Sequence, residues 1–128
     1  MMIFADRLMT AAHIDRLRIL GLCAHADLSV CELAEILDLR RERVARHVRR
    51  LARDDFLCGN GQRPWSSYHL NTVGKDRGLI QFLVDLLPHD DGHHKRDLER
   101  LEAVQDGRSK GTACLMGNKS IQLEREAP

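Results

Sequence analysis

The stretch Ser29–Leu51, SVCELAEILDLRRERVARHVRRL, decides the fold. Val30, Leu33, Ala34 and Leu37 recur at helical spacing along its first third. Ser29 and Glu32 make the S-x-x-E capping pattern, and Leu28 and Leu33 take the staple positions around it, so a helix is expected to start at Ser29. That helix should end at Asp38-Leu39. A second follows after a few residues, with Val44, Val48 and Leu51 on its inner side. Two short helices joined by a tight turn, the second with a charged outer face, make a helix-turn-helix. The whole chain of 128 residues carries a formal net charge of only +1, so it is not a generally basic nucleic-acid coat. Residues 38–53 nevertheless hold seven arginines against two acids, which is the footprint of a local nucleic-acid contact.

Upstream, Ile14, Leu17, Leu20 and Ala24 keep the helical period. Downstream, Phe56–Cys58 reads as a strand, residues 59–64 (GNGQRP) as a turn, and Trp65–Leu70 as a returning strand. A hairpin directly behind a helix-turn-helix is a wing. Gly78–Leu87 resumes helix and Pro88 closes it. Its apolar face of Leu79, Ile80, Leu83, Leu86 and Leu87 exceeds what one small domain needs, which points to a dimer interface. Residues 1–88 are thus read as a winged helix-turn-helix domain for DNA binding and dimerisation. Residues 89–105 make an extra polar helix around Leu98 and Leu101, and residues 106–128 a weakly ordered tail. The fold class is mainly α with a small β-hairpin.

No apolar run is long enough to span a bilayer, and the first twenty residues lack the features of a signal peptide. A cytoplasmic protein is the expectation. The four cysteines (Cys23, Cys31, Cys58, Cys114) are scattered, without a C-x-x-C pair, as in a chain of free thiols. No nucleophile–base pair, Gly-rich phosphate loop or paired carboxylates stand at motif spacing, so an enzyme is not expected.

Four segments in series carry a family resemblance: Arg16-Leu-Arg-Ile-Leu20, Ser29-Val-Cys-Glu-Leu-Ala34, Val44-Ala-Arg-His-Val48 and, after the turn, Tyr68-His-Leu70. Over residues 8–88 the chain resembles the ArsR/SmtB family of winged-helix transcriptional repressors. The resemblance implies a homodimer paired through the N-terminal helix and the helix behind the wing, and double-stranded DNA as partner. It also implies that the second helix of the pair enters the major groove. Arg40, Arg41, Arg43, Arg46, His47 and Arg50 then lie on or near the exposed face. Arg63 at the wing tip reaches a phosphate or minor groove. Arg40, Arg41 and Arg43 replace the small polar residues common in the family at this point, which leaves Asp38 as the best cap for the helix start.

Many members release DNA when a metal or oxidant arrives. Arsenite sensors carry C-V-C where this chain has Ser29-Val30-Cys31, so one of the two thiols is missing. Cys31 in the first turn of its helix, where a thiolate is favoured, with Cys23 nearby, is a candidate redox or soft-metal pair. The helix behind the wing has Asp76 and Asp85 but no histidine, so the family's zinc pattern is not met. His89, His93 and His94 with Asp90 and Asp91 read as a solvated polar loop rather than a zinc site. No cofactor is firmly indicated. The reading is a homodimeric DNA-binding repressor released by a metal, metalloid or thiol-oxidising signal. A non-sensing winged-helix regulator and a winged-helix protein-interaction module are the alternatives.

Overall fold

In the computed structural model, residues 1–61, 67–88 and 90–109 are described. The order of elements is α1 (Met2–Ala11), α2 (Ile14–Cys23), α3 (Val30–Leu37), α4 (Arg41–Arg53), β1 (Leu57–Asn60), β2 (Ser67–Leu70), α5 (Arg77–Asp85) and α6 (Gly92–Ser109). This is a winged helix-turn-helix.

The start of α3 is built as the sequence prescribes. Ser29 Oγ accepts the Glu32 amide at 3.0 Å, and Glu32 Oε1 accepts the Ser29 amide at 3.0 Å, so two otherwise orphaned donors are satisfied reciprocally. Leu28 and Leu33, the staple residues, are both in the core. The helix stops at Asp38, whose φ of 58° and ψ of 48° put it in the left-handed region that aspartate tolerates and that halts a helix. Asp38 therefore ends α3 and does not cap α4. Arg40 occupies the N-cap position of α4 with extended backbone and no side-chain cap bond, so the expected role of Asp38 is corrected.

With no cap, α4 is held by burial. Val44, His47, Val48 and Leu51 make one inward stripe at helical spacing, and the three apolar members are fully buried. They meet Ile19, Leu20 and Leu22 of α2, Leu33 and Ile36 of α3, and Phe56 in one core cluster. Each such aliphatic side chain stabilises the fold by roughly 1.5–3 kcal/mol.

Strands β1 and β2 pair antiparallel, with Leu57 opposite Leu70 and Asn60 opposite Ser67. A short bridge adds a third line of pairing. Leu28 and Tyr68 exchange backbone hydrogen bonds of 3.0 and 2.8 Å, which ties the loop before α3 to the wing. Helix α6 runs to Ser109, further than residues 89–105, and buries Leu101, Val104 and the polar Asp97. Polar ties do the rest. Arg18 grips Asp97 with two hydrogen bonds of 2.9 and 2.8 Å, Arg100 donates to the Ile36 carbonyl, and Arg108 donates to Glu32 Oε2.

Candidate nucleic-acid interface

Helix α4 turns its arginines away from the core. Arg40, Arg43, Arg46, Arg49, Arg50 and Arg53 are exposed, and Arg41 is half-buried. They divide by partner. Arg43 donates to Asp15 Oδ2 at 2.9 Å, while Arg50 and Arg53 each stand 3.6 Å from Asp54. Arg40, Arg46 and Arg49 form no ion pair among the described residues. Arginines without an acid of their own are the ones free to take phosphate or a guanine edge. Arg49 was not among the expected contacts, although it belongs to the same run. Arg63 and Trp65 lie outside the described residues.

His47 is corrected. It was expected on or near the exposed face, but it is only 8% exposed and points inward. Its Nδ1 accepts from Arg16 Nε at 3.1 Å, and its ring lies 4.7 Å from that of His13. Its Nε2 is buried and has no hydrogen-bond partner among the described residues; Asp15 Oδ2 is 3.7 Å away. Burial first, then the neighbouring charges of His13 and Arg16, pushes its pKa below that of an ordinary histidine. His47 thus packs against α2 rather than on the outer face of α4.

The thiols are corrected as well. Cys31 is disulfide-bonded, whereas Cys23 and Cys58 are free thiols, so Cys23 and Cys31 do not form a pair. Burial, with some help from Asp27, pushes the Cys23 thiol up to about 12, so it stays protonated at neutral pH. It is a core residue.

The proposed dimer face also divides. Ile80 is buried within the protomer and is withdrawn from that face, and Leu83 packs partly against the same core. Leu79 and Leu87 are intermediate, and the Leu87 methyl lies where a Cβ on Gly21 would come within 3.0 Å. Leu86 remains 63% exposed, joined by Phe82 at 60%, a residue not among those expected on that face. On α1, Met2, Ile3, Phe4 and Met9 are exposed too. Arg7 bonds Asp76 at the start of α5, which fixes α1 against that helix.

A cavity of about 160 Å³ lies among Ile14, Leu17, Leu22, Leu87 and Leu98, with His93, His94, Asp91 and Asp97 at its rim. Among the described residues, His93, His94, Asp90 and Asp91 do not gather into a group of three metal-ligand atoms. His13, Asp15 and His47 do. His13 and Asp15 are two residues apart, but His47 lies on another helix, so no single motif announced the group.

Among solved structures, reduced HlyU from Vibrio cholerae N16961 matches with a TM-score of 0.53 and 27% identity, over 65% of this chain and 87% of that one. The fold is that of a winged-helix regulator. No family model matches the sequence, and no curated protein matches it. Among the described residues no helix is long and apolar enough to cross a membrane.

Proposed function

We propose that this chain is a sequence-specific DNA-binding repressor of the ArsR type, acting as a homodimer and released by a thiol-oxidising signal. The observation that carries the DNA reading is the outer face of α4, where Arg40, Arg46 and Arg49 have no acidic partner among the described residues, beside the paired strands β1 and β2. Helix α4 enters the major groove, Arg46 contacts base edges, and the neighbouring arginines, with Arg63 between the two strands in sequence, neutralise phosphates. The paired apolar faces of α1 and α5, with Phe82 and Leu86 at their centre, meet in the dimer and set two reading helices at half-site spacing.

The disulfide at Cys31 supports the signal. Cys31 sits at the second position of α3, next to the Glu32 that serves both the cap and Arg108. A two-electron oxidant that joins Cys31 to another thiol acts directly on the first helix of the DNA-reading pair. Cys23 and Cys58 being free thiols, the one remaining cysteine of the sequence is Cys114.

The test is fluorescence anisotropy on duplex DNA from the region upstream of its own gene, with reduced and with oxidised protein. Reduced protein binds, and binding falls steeply with salt by counterion release. Arg46→Ala weakens it by about tenfold or more. Oxidised wild type dissociates, and Cys31→Ser and Cys114→Ser each remain bound under oxidant. Unchanged affinity in Arg46→Ala sinks the reading-helix assignment. Equal binding of oxidised and reduced wild type favours the non-sensing regulator. No DNA binding in either state favours the protein-interaction module.

A further inference from the structure

We propose that His13, Asp15 and His47 form a binding site for a borderline divalent cation of the zinc type, bridging the start of α2 to the DNA-reading helix. One ligand atom from each of the three residues lies within 4.8 Å of the other two. Two imidazole nitrogens and one carboxylate oxygen suit zinc or cobalt, rather than calcium, magnesium or a thiol-seeking metalloid. Around one zinc at about 2.0–2.1 Å, tetrahedral neighbours stand roughly 3.4 Å apart, so the group closes by an ångström or so on loading. His13, the most open of the three, is the side chain that moves.

The second observation is independent of that clustering. His47 is more than nine-tenths buried, and its Nε2 has no hydrogen-bond partner among the described residues while it faces Asp15. A buried polar nitrogen left without a partner costs stability, and a ligand in the group removes that cost.

The surrounding hydrogen bonds define what loading changes. His13 Nδ1 accepts the Asp15 amide, and His47 Nδ1 accepts Arg16 Nε–H, so each neutral ring carries its proton on Nε2. A cation bound at Nε2 of a neutral ring leaves the proton on Nδ1, so Arg16 must then leave His47, and His13, ligating the same way, gives up the Asp15 amide. Asp15 is shared in the same way. Its carboxylate holds Arg43 at 2.9 Å, and Arg43, half-exposed, can swing out when the cation takes its place. Arg18 Nη1 also stands 3.8 Å from Asp15 Oδ1, but its Nε and Nη2 hydrogen bonds go to Asp97, so it can keep Asp97 when a cation takes Asp15. Loading therefore frees Arg43 at the first turn of α4, beside arginines that form no ion pair among the described residues. The cation site stands independently of the proposed DNA reading, whereas this consequence rests on it: the cation tightens DNA binding.

The experiment uses the full chain, stripped with chelator and kept reduced. It is titrated with zinc by calorimetry and with cobalt by visible absorption. One ion per chain binds, and the cobalt spectrum shows d–d bands without thiolate charge transfer. His13→Asn keeps a helix-capping side chain but removes the imidazole, and His47→Gln removes the buried ligand. Each weakens zinc binding by about tenfold or more while circular dichroism stays that of wild type. The His93→Ala/His94→Ala double variant binds as wild type. Wild-type zinc affinity in His13→Asn, a thiolate charge-transfer band, or loss of binding in the His93→Ala/His94→Ala variant overturns the site. In the anisotropy assay zinc tightens DNA binding of wild type by roughly threefold to tenfold and steepens its salt dependence by about one phosphate contact, and does neither in His13→Asn. Zinc uptake with unchanged DNA affinity overturns the link through Arg43. Absence of DNA binding with and without zinc, alongside normal zinc uptake, breaks the DNA reading and leaves the site intact.

Discussion

The two helices of the helix-turn-helix begin in opposite ways. Helix α3 opens on a complete capping box, flanked by the two staple leucines and braced by Arg108. Helix α4 opens on Arg40 with no side-chain cap at all. A helix leaves its first four amides without intrahelical partners, and α3 meets that need from its own sequence. Helix α4 leaves its first turn to water and to whatever anion approaches, with the dipole favouring negative charge there. The contrast separates the anchor from the tool. The capped helix is fixed by local chemistry, and the uncapped one is fixed by its buried stripe and keeps its polar end available.

Breaking the buried stripe has the largest effect. Leu51→Ala removes a fully buried side chain on which α4 depends, and destabilises the protein by about 2–5 kcal/mol in chemical denaturation. A loss no larger than that of a surface substitution means that α4 is held by something other than its core stripe. Next comes the anchor: Ser29→Ala deletes one half of the capping box and costs about 1 kcal/mol, read as a lower denaturation midpoint at constant slope. The smallest effect sharpens the contrast most. Arg40→Ser supplies α4 with the cap it lacks and raises stability by about 0.5 kcal/mol, while DNA affinity falls because a cation is lost and the first-turn amides gain an internal partner. Higher stability with undiminished affinity leaves the open helix start without a role in binding.

Local patterns were legible and long-range ones were not. Ser29 and Glu32 are three residues apart and announce their helix unaided. The inward spacing of Val44, Val48 and Leu51 is equally plain, as is the hairpin around GNGQRP. Asp38 was misassigned because an aspartate between two helices can end the first or cap the second, and only its backbone angles decide. His47 was expected to be exposed because histidine is polar. Its burial follows from Arg16 and His13, partners some thirty residues away that no local pattern links to it. Helix α6 was underestimated because its attachment is ionic more than apolar, so hydrophobic periodicity is faint there.

Those ionic attachments have a consequence for the order in which the molecule is assembled. Arg18 meets Asp97 across 79 positions, Arg108 meets Glu32 across 76, and Arg100 meets the Ile36 carbonyl across 64. A ribosome delivers the reading helices and the hairpin well before α6 emerges. During that interval Glu32 already serves the α3 cap through Oε1, while Oε2 has yet to receive its arginine. The nascent chain thus has its helix-turn-helix and hairpin first, and α6, which brings Leu101 and Val104 to the core, is the latch that is fastened last.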